Sequence, residues 1–278
     1  MLAIKNNLMA ENAARQLGKS YDALARSIER LSSGLRINSA KDDAAGLAVR
    51  ELMRADLAVI RQGSRNAQDG ISMLQTMEGA MASIDEALIR MKELAEQAAT
   101  GSYSTQQRNI MNNEYGQMIE EIDRVANRTE FNSTTMLNSA SGSQTIHFGI
   151  DSNGSASSIA VSTVDVRASA LGINSGSANH RIATAANAAT ALVAVNDAIK
   201  TKDSARASFG YMMNRMESVD KLLNIQAENL LASESRVSDV DVATEMATMT
   251  RNQVLTQAGI SMLSQANAMP QMALTLLR

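Results

Sequence analysis

The near absence of proline limits the fold of this chain more than any other feature. Only one proline, Pro270, occurs in 278 residues. Proline is the strongest helix breaker, because it lacks a backbone N–H and clashes with the preceding turn. The sequence therefore permits long uninterrupted helices, and we expect Pro270 to kink or end the last of them.

Apolar residues near both ends recur at coiled-coil spacing. In the first forty residues Leu17, Tyr21, Leu24, Ile28, Leu31 and Leu35 alternate at intervals of four and three, which is typical of one stripe on a helix. A second stripe near the other end carries Leu255, Ala258, Met262, Ala266 and Met269. From these we predict an assembly seam, for contacts between helices and between copies, made of Leu17, Leu24, Ile28, Leu31, Leu35, Leu255, Met262 and Met269.

The same periodicity predicts long helices between the ends. One runs from about 43 to 99, roughly 85 Å at 1.5 Å per residue, and Asp42 and Asp43 suit its positive end. A third helix is predicted at roughly 104–128. Helix returns near Ile182, persists past Leu230, and is followed by a cap at 238–241. The predicted inward residues of the second and third helices are Leu57, Ile60, Ala67, Ile71, Leu74, Met81, Ile84, Leu88, Met91 and Ala95, then Ile110, Tyr115, Met118, Ile122 and Val125.

The middle of the chain is rich in Ser, Thr, Gly and Asn and contains two alternating runs. Ile146, Phe148 and Ile150 form the first; Ile159, Val161 and Thr163 form the second. Asn153-Gly154 lies between them, and Asn-Gly is a strong hairpin signal because both residues tolerate positive φ. We predict a β-hairpin at about 143–166.

These elements are arranged as two mirrored halves around the hairpin. The predicted fold is mostly α, an elongated antiparallel coiled-coil or helical-bundle rod with a small β-hairpin region and both termini paired as helices at one end. Each terminal helix has one apolar stripe, which it cannot bury alone. Residues 1–40 carry a net charge of +3 and residues 238–278 a net charge of -1, which mildly favours their pairing.

Composition and motifs argue against catalysis. There is no cysteine, and the two histidines, His147 and His180, belong to no metal-binding motif; His147 is expected on the solvent face of a strand. We predict no catalytic site, cofactor or metal. A net charge of -3 gives no reason to expect nucleic acid, and no apolar run is long enough for a membrane helix.

The chain has 18 methionines, and the sequence is compatible with two roles for those at stripe positions. The first is ordinary core filling. The second is soft contact between subunits that permits two packings, with Met81, Met91 and Met216 as candidates.

Blocks at both ends resemble bacterial flagellins. Residues 31–48 (LSSGLRINSAKDDAAGLA) resemble the signature block of that family, and 121–126 with 129–132 (EIDRVA, TEFN) resemble its second block. Residues 257–267 (QAGISMLSQAN) and 270–278 (PQMALTLLR) resemble its carboxyl terminus. The resemblance covers nearly the whole chain, and only the hairpin region stands where many flagellins carry large outer domains. The chain is therefore identified as a short member.

The resemblance implies a division of the chain and a function. Residues 1–40 and 238–278 would be the two halves of the inner filament-core domain. Residues 41–180 and 181–237 would form the rod domain. The protein would be a structural subunit of the flagellar filament that serves motility, secreted through the flagellar type III export channel, and located outside the cell. Its ends would order on assembly with other copies, and its partners would include an export chaperone, the filament cap and hook-associated proteins.

The resemblance also implies an animal Toll-like receptor as a partner. Arg90, Leu94 and Glu114 match the family's recognition site, whereas Ile89 and Lys92 depart from it. Two rival functions remain at this point. A flagellin-like hook–filament junction protein would share the termini without forming long filaments alone. A helical binding protein or bundle enzyme would have ends that are folded in the monomer.

Overall fold

The computed structural model describes residues 7–139, 142–149, 157–174 and 181–275. Within them the prediction of a mostly helical fold with a small β region is confirmed. None of the described helices is long and apolar enough to cross a membrane. The elements in chain order are α1 (Leu8–Ser33), α2 (Ala44–Ala99), α3 (Thr105–Arg128), β1 (Glu130–Phe131), β2 (Thr134–Thr135), β3 (Ser143–His147), β4 (Ser158–Ser162), α4 (Ala185–Ser238) and α5 (Val242–Thr275).

The chain divides into two compact units. Unit 1 comprises residues 1–57 and 228–278, and unit 2 comprises residues 58–227. Helices α1 and α5 belong to unit 1, and α3 and the four strands belong to unit 2. Both α2 and α4 contribute residues to each unit.

Turn-forming and capping residues set the ends of the first helices. Gly34 ends α1 in a left-handed conformation with φ of 73°, which glycine adopts without steric cost. Asp43 starts α2 by accepting the Gly46 N–H at 2.9 Å, as an N-cap residue does. Asp42 instead accepts the backbone N–H and the hydroxyl of Ser39, each at 3.0 Å, and so holds the turn before the helix.

The predicted inward stripe of α2 is confirmed. Leu74, Met81, Ile84, Leu88 and Met91 are all fully buried. The hypothesis that stripe methionines make contacts between subunits is wrong for all three candidates, because Met81, Met91 and Met216 lie in the hydrophobic core of unit 2. They fill space there, as flexible thioethers commonly do.

One expectation for α3 is wrong. Ile110 is predicted on its inner face but is exposed, and Met111 is buried in its place; Tyr115 and Ile122 are buried as predicted, together with Ile119. The inner stripe of α3 therefore begins one residue later. Of the two outcomes expected at Pro270, an end of the helix does not occur, because α5 continues through Pro270 to Thr275; the kink stays a prediction.

Two antiparallel hairpins complete unit 2. The predicted one is formed by β3 and β4, which pair from Ser143↔Ser162 to His147↔Ser158. Its Asn153-Gly154 turn and Ile150 lie outside the described residues. The hairpin of β1 and β2 was not predicted. Its two turn residues, Asn132 and Ser133, both have positive φ, as a type I′ turn requires.

The end of β3 contacts α2 closely. The side-chain amide of Asn66 donates to the carbonyl of His147 at 2.8 Å. A Cβ on Gly63 would lie 2.5 Å from the carbonyl oxygen of Phe148. Only glycine at position 63 therefore allows the strand end to approach the helix this closely.

Candidate assembly surface

Helices α1 and α5 pack against each other antiparallel. The side chain of Asn7 donates to the carbonyl of Ala266 at 2.7 Å, Leu17 lies against Gly259, and Arg30 pairs with Glu245 at 3.8 Å. Residues later in α1 therefore contact residues earlier in α5, as in an antiparallel pair. The prediction that both ends pair as helices is confirmed.

Small side chains allow this pair to approach closely. On α1, Ser20 and Ser27 are buried between half-buried leucines. On α5, Thr256 is buried, and a Cβ on Gly259 would come within 3.0 Å of the Leu17 Cδ1 atom. The face of α1 that meets α5 therefore alternates leucine with serine, and Tyr21 is left exposed beside it.

The two breaks between long helices are tied together by backbone hydrogen bonds. The N–H of Arg36 donates to the carbonyl of Ser238 at 2.6 Å, and that of Val240 donates to Gly34 at 3.0 Å. The guanidinium of Arg36 adds a bond to the carbonyl of Val237 at 2.7 Å. These bonds fix where α1 and α5 begin to run alongside each other.

Asp241 starts α5. Its carboxylate accepts the hydroxyl of Thr244 at 2.7 Å and the N–H of Ala243 at 3.0 Å. Hydrogen bonds from Thr244, first through the hydroxyl and then through the N–H, hold the pKa of Asp241 below its usual value. This is the behaviour of a charged N-cap residue.

The structure divides the predicted assembly seam into two groups. Leu17, Leu24, Leu31, Leu35 and Met269 are half-buried within unit 1. The other three members are largely accessible: Ile28 is 52% exposed, Leu255 is 49% exposed and Met262 is 61% exposed. The first group is thus brought to the interior of unit 1, whereas the second faces outward.

Helix α5 exposes further large apolar side chains that periodicity did not select: Val242, Met246, Val254, Ile260 and Met272. On α1, Leu8 and Met9 are also exposed. Helix α5 has only two charged residues, Glu245 and Arg251, and none from position 252 to its end. That lack of charge was the sequence signal for this surface. A helix that is apolar on several sides is normally covered on several sides.

The three residues matched to the receptor site lie together in unit 2. Arg90 on α2 contacts Glu114 on α3, with a nitrogen–oxygen distance of 2.7 Å, and also Glu93 at 3.0 Å. Arg90 and Glu114 are both partly accessible. Leu94, however, is only 2% exposed and belongs to the core. The three residues are therefore an accessible ion pair and one buried leucine.

The described residues contain no cluster of three or more His, Cys, Asp or Glu side chains able to hold a metal ion. His147 is exposed at the end of β3, as predicted, and His180 lies outside the described ranges. The surface built by α1 and α5 offers apolar contact area.

Family models and relatives agree on one family. The model of the bacterial flagellin N-terminal helical region matches residues 4–142, and that of the C-terminal helical region matches residues 192–277. A flagellin of Halalkalibacterium halodurans is 41% identical over 277 residues, which cover both chains completely. A flagellin of Bacillus subtilis is 38% identical, and a flagellar filament 31.3 kDa core protein of Treponema maltophilum is 36% identical, again over the whole of both chains.

Solved structures show the same fold. A crystal structure of Bacillus cereus flagellin has a TM-score of 0.50 at 29% identity, covering 61% of this chain and 94% of that chain. A Vibrio parahaemolyticus protein described as flagellar hook-associated has a TM-score of 0.59 at 14% identity, covering 71% and 100%; this likeness concerns the fold alone. With two family models at its two ends and full-length relatives above 35% identity, the chain belongs to the bacterial flagellins, which are structural proteins of the flagellar filament and not enzymes.

Proposed function

We propose that this subunit enters the filament through the outward apolar side chains of α1 and α5, which neighbouring copies cover. The observation that carries the proposal is the exposure of Leu255 and Met262 on a helix with no charge after Arg251. Exposed apolar area of this kind is a driving force for association, at about 25 cal/mol per Å² removed from water.

The pairing of α1 with α5 explains why copies are needed. Packing against α1 buries Thr256 and half-buries Gly259 and Leu263, but leaves the two neighbouring faces of α5 in water. A lone pair of helices also gains little burial to offset its ordering entropy. We therefore expect the terminal helices to become fully ordered only when other copies cover these faces.

The proposal is tested by growth from seeds. Filaments are precipitated from concentrated subunit with ammonium sulfate, which strengthens apolar burial, and are then sheared into seeds. Subunits carrying Met262→Lys are expected to add to these seeds at least about tenfold more slowly than the parent, because an unpaired charge would be buried in an apolar contact. Electron microscopy measures filament length against time.

Ala25→Lys is the control. Ala25 is exposed on α1, three residues after Asp22 and four before Glu29, so a lysine there joins a charged and hydrated face. It adds the same charge to the same pair of helices, and circular dichroism of both variants shows whether the subunit stays folded. Met262→Lys growing as fast as the parent would contradict the proposal.

The same experiment separates this function from that of a hook–filament junction protein. A filament subunit extends seeds into long filaments when it is the sole protein present. A junction protein adds in few copies and then stops. We expect long filaments.

Before assembly the apolar surface of α5 needs cover, and we propose that an export chaperone supplies it on the way through the type III export channel. An exposed apolar surface of this kind otherwise leads to aggregation. The filament cap and hook-associated proteins are proposed as the partners at the two ends of the filament. Co-purification of the subunit with a chaperone, lost when α5 is deleted, would support the first proposal. Equal recovery without α5 would contradict it.

We also propose recognition of the free subunit by an animal Toll-like receptor through the Arg90–Glu114 surface. Leu94 would act by supporting that surface from the core, since it is 2% exposed. Monomer added to receptor reporter cells is expected to give a signal that Arg90→Ala reduces. The matched control is Arg124→Ala, which removes another exposed arginine of unit 2. No signal from folded parent monomer would remove this proposal and leave the filament function untouched.

A further inference from the structure

The described methionines of this chain range from fully buried to largely exposed, with Met53, Met118, Met212, Met213, Met249 and Met269 half-buried between the two extremes. Met9, Met246, Met262 and Met272, all on α1 or α5, are each at least 45% exposed. The chain has no cysteine, so methionine thioethers are its most readily oxidised groups. The buried group, none more than 9% exposed, consists of Met73, Met77, Met81, Met91, Met111, Met136 and Met216.

Two thioethers of the exposed group, those of Met9 and Met262, converge on one place with the half-buried thioether of Met269. A pocket of about 390 Å³ lies between α1 and α5 and is lined by Met9 from α1 and by Met262 and Met269 from α5, with Asn12, Ala13, Gln265 and Ala266. The pocket is open to solvent. A small oxidant therefore reaches sulfur atoms at the surface that contacts other copies.

We infer that the exposed methionines of α1 and α5 are a peroxide modification site that controls whether the subunit can join a filament. This inference rests on the proposed function, because the oxidised side chains matter only if that surface is buried by other copies. The site takes hydrogen peroxide or another peroxide as its reactant.

The reaction transfers one oxygen atom from the peroxide to the thioether sulfur. The sulfur lone pair attacks one peroxide oxygen, the O–O bond breaks and an S–O bond forms. Water leaves when the reactant is hydrogen peroxide, and an alcohol leaves when it is an organic hydroperoxide, so that sulfur is oxidised and the peroxide is reduced. A methionine sulfoxide reductase reverses the change with two thiols, which become a disulfide as the oxygen leaves as water. The product is polar and resists burial in an apolar contact.

Burial protects the methionines of unit 2 from peroxide, so oxidation is expected first at the surface of α1 and α5. Oxidation of Met77 or Met81 would require peroxide to enter the core of unit 2, where both side chains are fully buried. Mild oxidation is therefore expected to change the assembly surface while leaving the unit 2 core intact.

The test treats folded subunit with hydrogen peroxide, maps oxidation by peptide mass spectrometry and measures growth from seeds. We expect oxygen on Met9, Met246, Met262 and Met272 well before the buried group. The subunit concentration left unassembled at equilibrium should rise at least about tenfold, a loss of about 1.4 kcal/mol of assembly free energy, because the polar sulfoxides resist burial in an apolar contact. Treatment with sulfoxide reductases of both stereospecificities should restore growth.

A variant with leucine at these four positions should grow in the presence of peroxide, whereas the control Met77→Leu/Met81→Leu should remain sensitive. If the four-leucine variant does not grow even untreated, the reductase arm decides, because only a sulfoxide lesion is reversed by it. Oxidised parent that grows normally, or loss of growth that reductase does not restore, would overturn the inference. Untreated parent that never extends seeds would instead overturn the proposed function.

Discussion

A buried ion pair between α2 and α4 allows a sharp prediction about the stability of unit 2. Lys202 is 1% exposed, and its ammonium group pairs with Asp85 on α2 and with Asp203 at 2.8 Å. It occupies an inward position of the α4 stripe, between the buried Ala198 and Ala205. A polar residue at such a position fixes the register of two helices at some cost in stability.

The two partners of this pair differ in burial, so their replacements should differ in effect. Asp85 is 28% exposed and can be hydrated when its partner is lost. Lys202→Met, which removes the buried charge and keeps most of the volume, is expected to change the free energy of unfolding by less than about 1 kcal/mol. Asp85→Asn leaves the ammonium buried with only Asp203 beside it, and should cost about 2–4 kcal/mol.

Urea unfolding followed by far-UV circular dichroism measures both values on the full chain. The double variant Lys202→Met/Asp85→Asn should recover most of the loss caused by Asp85→Asn, which gives a coupling of at least about 1 kcal/mol between the two positions. Equal effects of the two single changes, or no recovery in the double variant, would refute the reasoning from burial.

Three further predictions concern single residues. Tyr115 has a buried hydroxyl with no hydrogen-bond partner among the described residues, and burial raises its pKa to about 12. Tyr115→Phe should therefore raise the free energy of unfolding by about 1 kcal/mol. A decrease of that size would show that the hydroxyl does have a hydrogen-bond partner. Gly63→Ala should lower the free energy of unfolding by about 1–3 kcal/mol, because the new methyl group would lie 2.5 Å from the backbone of Phe148. An unchanged urea midpoint would show that the end of β3 moves away without cost. Asp241 has a lowered pKa, so its stabilisation of α5 is complete above the usual value of 3.8 and is lost as the pH falls through the lower pKa of the folded state. Asp241→Ser keeps the cap but should remove this part of the pH dependence of helicity. An identical acid transition in the parent and the variant would contradict this prediction.

The long helices were predictable from the sequence because few helix-breaking residues interrupt their apolar stripes. Much of the α2 stripe from Leu57 to Ala95 was identified, since a long helix averages its periodicity over many turns, although the buried Met73, Met77 and Leu94 were missed. The start of α5 at Asp241 was also recognisable from the predicted cap at 238–241, because capping chemistry is local.

Residues chosen by apolarity alone were placed less accurately. Ser20 and Ser27 occupy inward positions of α1 because α5 approaches closely there, whereas the neighbouring Tyr21 and Ile28 are exposed. Lys202 escaped notice for a similar reason, since its inward position is justified only by a carboxylate on another helix. Contacts that depend on a partner element are invisible to a pattern search along one helix.

A helical reconstruction of the assembled filament tests the central claim most directly. The account predicts that Leu255, Met262 and Ile28 of each subunit lie within about 4.5 Å of apolar side chains from neighbouring copies. A filament in which these three side chains face solvent, with the subunits held together through other surfaces, would contradict it.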